Sequence, residues 1–224
     1  MRPPRDFAYD PVRNFGFRSC VAAAQIVAVP AAAEDLQPPP WRGEWSTTSQ
    51  IWEFDRPQQN PIPPDGPAPG GMPPLPSTEA WVFPMAGADW LPEDQGRFGV
   101  WPLSGWLEVL VDNHDPKPEN IKLIWVQLTW RPQDPGDPLG VPTFTYFQPP
   151  PATVPKIIEE VRIDDLWRET TYYWELDWNP PDEMFTIEGN INVDELVVDT
   201  WCVPEPVTLS LLAVGGLALL RRRR

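Results

Sequence analysis

The sequence is short of the groups from which most active sites are built. It holds a single histidine, His114, and only two cysteines, Cys20 and Cys202. One histidine leaves no His-rich zinc site and no choice of base for a Ser-His-Asp triad. It lies in Asp112-Asn-His-Asp-Pro116, which reads as a solvated turn. Gly-x-Ser-x-Gly, Cys-x-x-Cys and a glycine-rich phosphate loop are all missing, so the usual signatures of nucleophilic, dithiol and nucleotide chemistry are absent. Positive charge is scarce as well. There are 17 basic against 32 acidic residues, and residues 34–220 alone hold 9 against 30. Such a surface repels phosphate backbones and carries no basic patch interleaved with aromatics, which argues against nucleic acid as a partner.

Proline and tryptophan are abundant instead, with 33 and 13 residues. Proline removes a backbone donor inside a helix, so this composition predicts an all-β body with many turns. Cys20 and Cys202 each sit beside a terminal segment. Removal of the first on export would leave Cys202 without a partner, and the core would then hold by burial alone.

Both ends read as addresses. Arg13 and Arg18 precede the apolar run Val21 to Pro30, which is followed by Ala31-Ala32-Ala33 and then Glu34-Asp35. Positive, apolar, small and then acidic is the order of a secretory signal, which predicts a signal helix within residues 1–33. The polar stretch Met1 to Asn14 ahead of it departs from that pattern. At the other end Val207 to Leu220 is 14 residues without charge, followed by Arg221, Arg222, Arg223 and Arg224. As a helix it covers about 21 Å of a hydrocarbon core roughly 30 Å thick. Adding Val203 to Pro206 and letting the arginines snorkel makes it a short membrane crossing. The arginines then stay cytoplasmic and the body lies outside.

Val203-Pro204-Glu205-Pro206, an apolar helix containing Gly215-Gly216 and a terminal arginine block fall in order within residues 203–224. This tail resembles the PEP-CTERM sorting domain of exosortase substrates. The resemblance implies that Pro204, Glu205 and Pro206 form the motif an exosortase reads, and that the chain enters the inner membrane transiently. It also implies cleavage near the motif, with the product left at the cell surface or in an exopolysaccharide-rich matrix.

Between the ends, residues 38–202 read as one domain. Strands are predicted at 48–54, 98–101, 106–111, 121–130, 143–148, 156–163, 171–178, 184–188 and 191–201. A proline-rich loop is expected over residues 56–76, which hold nine prolines. Ile121 to Trp130 is apolar on both faces and reads as a central strand. Tyr172, Trp174, Leu176 and Trp178 share one face and are expected in the core, whereas the strand at 48–54 shows one partly buried face. The phase of the last strand shifts between Val193 and Leu196, which predicts a bulge at Asp194-Glu195. Short strands without an amphipathic helix predict an antiparallel β-sandwich of jelly-roll type, with its first and last strands adjacent.

Val193 to Val198 also resembles the closing strand of carbohydrate-binding jelly rolls. There an aspartate helps hold a structural calcium, which makes Asp194 the candidate metal ligand. The body as a whole resembles domains of exported planctomycete proteins that carry this tail. The expected role is non-catalytic, structural or adhesive. Two alternatives stay open. A carbohydrate-binding module would need exposed aromatics of the kind of Trp90, Trp101 or Trp167. A glycoside hydrolase would need two carboxylates at a working separation, drawn from pairs such as Glu159-Glu160, Asp164-Asp165 or Asp182-Glu183. In so acidic a chain these pairs are expected to be solvated surface charge.

Overall fold

The computed structural model describes residues 35–57, 61–71, 80–84, 89–112, 120–140, 142–144, 155–180 and 182–204, all within one compact unit. The expected signal helix, His114, Glu205, Pro206, the apolar tail and Arg221 to Arg224 lie outside them. Among the described residues the chain is all-β and antiparallel, and no helix is long and apolar enough to cross a membrane.

The described residues form nine strands: β1 (Thr47–Trp52), β2 (Trp81–Pro84), β3 (Leu91–Asp94), β4 (Arg97–Asp112), β5 (Asn120–Pro132), β6 (Thr143–Phe144), β7 (Lys156–Arg162), β8 (Arg168–Leu176) and β9 (Asp182–Pro204). The main path runs β2-β4-β9-β5-β8-β7, with β1 and β6 paired to β9 and β3 to β4. β9 is the centre. β4 pairs with its first half, from Asp112↔Asp182 to Trp101↔Val193, and β1 with its second, from Trp52↔Leu196 to Thr47↔Trp201. β5 runs along residues 191–204. The first and last strands are therefore adjacent, as expected.

β9 is 23 residues long and keeps its apolar side inward throughout. It does so by changing phase. Ile187, Ile191 and Val193 point into the core before the change, and Leu196 and Val198 after it. In the β5 ladder Thr129 faces Glu195 and Trp130 faces Val193, so Asp194 is the extra residue of a β-bulge. The predicted breaks at 102–105 and 189–190 do not occur. β4 and β9 are each continuous, and Gly105 lies directly opposite Gly189, so both apparent breaks mark one rung of one ladder. At the start of β4, Gly99 adopts φ +78°, and a Cβ there would stand 1.9 Å from the Phe54 carbonyl oxygen. Only glycine fits so close an approach.

The main core cluster is drawn chiefly from β1, β2, β4, β5, β8 and β9. It includes Trp52, Leu107, Val126, Trp174, Phe185 and Leu196. Tyr172, Trp174 and Leu176 are buried as expected, and Trp178 packs against the cluster. The proline-rich loop is pinned to the sheet. Ile62 is fully buried and exchanges two backbone hydrogen bonds with Val82, and the Trp52 indole donates to the Ile62 carbonyl. Every residue of β1 is buried, which corrects the expectation of one partly buried face. The outer side of β1 is covered by residues 66–71, where Ala68 packs on Ile51 and Gly71 lies against Ser49, and residues 35–46 cross the neighbouring strands as a strap.

Candidate functional site

The strap is held by polar contacts to residues that alternation alone would assign to solvent. The Gln37 backbone N–H donates to Gln127 Oε1 (2.8 Å), and the Trp125 indole donates to the Gln37 carbonyl (2.7 Å). The Leu36 N–H donates to Glu169 Oε2 (3.2 Å). At the centre lies Arg42, whose Nε and Nη2 donate to the two carboxylate oxygens of Asp199 (2.8 and 2.5 Å) while the same guanidinium pairs with Asp35. Burial raises the Asp199 carboxyl above its ordinary range, and the Arg42 hydrogen bonds oppose that rise without cancelling it.

The strap also meets the end of β9. Trp41 stacks on Trp201 with ring centroids 5.7 Å apart, and the Trp201 indole donates to the Trp45 carbonyl (3.1 Å). The Cys202 N–H donates to the Ser46 carbonyl (3.2 Å). On the inner side of the same end, Lys122 and Glu183 form a fully buried ion pair at 2.9 Å, and Lys122 Nζ also donates to Cys202 Sγ (3.5 Å). The Cys202 thiol is buried against Asn179. Pro204 pairs with Asn120, so the first residue of the Pro-Glu-Pro string is the last described residue of β9.

A second polar cluster surrounds the bulge. Asp194 turns its carboxylate to Arg97 (3.2 Å). Arg97 and Arg131 both lie over the Trp167 ring, 5.7 and 5.8 Å from its centroid, and Asp94 accepts from Arg131 Nε (2.6 Å) and Asn192 Nδ2 (2.5 Å). Among the described residues no group of three or more His, Cys, Asp or Glu is gathered to hold a metal ion, and the residue Asp194 meets here is a cation, Arg97.

The aromatics named as sugar platforms are covered. Trp101 and Trp167 are buried, and Trp90 is half-buried with its indole donating to the Phe54 carbonyl (2.8 Å). The carboxylate pairs are dispersed over the fold. Glu159 and Glu160 lie on the exposed strand β7, where Glu160 meets Arg168 (3.1 Å). Asp164 braces the β7–β8 turn by accepting from the Leu166 and Trp167 N–H groups (2.7 and 2.8 Å). Burial pushes its carboxyl up, but those two bonds, with Arg97 and Arg162 nearby, outweigh this and hold it below the ordinary range. Asp165 pairs with Arg162 in solvent, whereas Glu183 is buried against Lys122, which corrects its assignment to solvated surface. An open concavity of about 480 Å³ between β4 and β9 is lined by Ser104, Gly105, Pro138, Gly140, Glu188, Gly189 and Asn190, and none of these is aromatic. No family model, curated protein or solved structure matches the chain.

The strap contacts were missed in the sequence because each is a single polar residue meeting a segment some 90 to 157 residues away. One signal was present. A strand carrying Asp199, Trp201 and Val197 on its second face, next to an apolar first face, has too little plainly polar surface for an exposed side.

Proposed function

We propose that this chain is an exported protein handed by its tail to a membrane-bound exosortase. Its body acts without catalysis, in a structural or adhesive role at the cell surface or in an exopolysaccharide matrix. The observation that carries this reading is how near the sheet runs to the tail: β9 is described as far as Pro204, and in the sequence Glu205-Pro206, the apolar run and the four arginines follow directly. A protease that reads Pro204-Glu205-Pro206 would thus meet the motif at the very edge of a finished domain. The lack of exposed aromatics at Trp101 and Trp167 weighs against a sugar-stacking platform built on them. A core that draws on β2 at one end of the sheet path and on β8, one strand from the other end, supports closure into a jelly-roll-like sandwich.

Mass spectrometry of the protein from its own host, with and without the exosortase gene, tests the reading. A mature chain that begins near Glu34 and loses Val207 to Arg224 only when exosortase is present is the expected result. Retention of the tail in both strains would overturn it.

A further inference from the structure

The most exposed large apolar side chain described is Trp45, at 68%. Its position is set by β9. β1 pairs antiparallel with β9 from Trp52↔Leu196 to Thr47↔Trp201, and the bond from the Cys202 N–H to the Ser46 carbonyl carries that pairing one residue further. Trp45 therefore leaves the sheet level with Val203, one residue before Pro204. The chain turns there through Ser46, a non-glycine residue at φ +67°, and the Trp45 carbonyl is fixed by the Trp201 indole.

We infer that Trp45 is an interfacial anchor that seats the folded domain on the lipid surface beside the sorting motif. The inference rests on the reading of the tail as a membrane segment. From Pro204 to Val207 the chain reaches at most about 10 Å. The headgroup zone on one side of the hydrocarbon core is roughly 5–8 Å thick. A body tethered so closely cannot stand clear of the bilayer, and the end it presents is the one that bears Trp45. Indole rings favour that zone, where the ring is half in hydrocarbon and the N–H remains hydrated. The neighbouring Glu44 is exposed and the body is strongly acidic, so the surface that fits is one of zwitterionic headgroups rather than anionic ones.

The test uses the full chain reconstituted into phosphatidylcholine vesicles with and without dibrominated acyl chains, comparing the native protein with Trp45→Phe. Flotation with the vesicles in both proteins, and loss of most of the bromolipid quenching of tryptophan emission in Trp45→Phe, is the expected result. Equal quenching in the two floating proteins would overturn the anchor and leave the tail reading standing. Failure of the native chain to float would overturn the tail reading and the anchor with it.

Discussion

Beyond its bulge, β9 is buried on both faces, and the two faces are buried by different means. Leu196 and Val198 join the apolar core on the inner face, with Trp174 and Val126 on neighbouring strands. On the outer face Asp199 and Trp201 meet Arg42 and Trp41 of the strap, and Val197 packs on Ile51 and Ala68. The inner face is stabilised by area removed from water and needs no partner of particular geometry. The outer face depends on matched polar partners, because a buried carboxylate without its guanidinium carries the whole desolvation penalty.

That difference is breakable by substitution. The largest loss is expected for Trp174→Ala, about 3–5 kcal/mol in urea unfolding, because a cavity opens in a core that only partly collapses. No second polar substitution should restore it. Arg42→Met should cost about 3 kcal/mol at neutral pH by leaving Asp199 buried and uncompensated. The further change Asp199→Leu should recover most of that loss, and a double variant no better than the single would mean that the strap holds by shape rather than by pairing. The deficit of Arg42→Met should also shrink as pH falls, since Asp199 in the folded chain then takes up a proton.

The smallest effect separates the faces by titration. Tyr172 and Tyr173 are adjacent, the first in the core and the second outside against Trp125. Burial first, and then the Glu175 charge and hydrogen bond, push the Tyr173 phenol up to about 12. Burial, with a smaller contribution from Glu160, pushes Tyr172 higher still. A phenol raised on folding contributes stability that is complete below about pH 10 and is lost as pH rises through the folded value. Absorbance at alkaline pH should therefore show Tyr173 ionising in the folded chain near pH 12, with Tyr172 following only as the fold opens. Simultaneous ionisation of both would erase the distinction between the faces.

The inner face was largely legible in the sequence. Period-two alternation located β8 and the bulge at Asp194, because a phase slip of one residue moves every later side chain to the other face, and β5 was read from the apolar residues on both its faces. β2 and β3, at four residues each, are too short for a period to register. Gly105 and Gly189 each read as a break because their pairing with one another is a property of the ladder and not of either segment. The outer face was illegible for a related reason. Gln127, Thr171 and Asp199 are the residue types of a solvated face, and only the strap, folded back from the start of the domain, makes them interior. Pro204-Glu205-Pro206 was readable as a contiguous string, whereas the position of Trp45 level with Val203 required the β1–β9 register.

β9 is the last described strand to leave the ribosome and the one on which β1, β4, β5 and β6 all depend for pairing. Thr48 waits for Thr200, 152 residues later, before their hydroxyls can meet. A chain made from its N-terminus thus has the margins of the sheet before its middle, and contacts so distant in sequence form slowly. Until that strand is made, β4 and β5 have no ladder to join them, and the strand that completes the sheet carries Pro204 at its end.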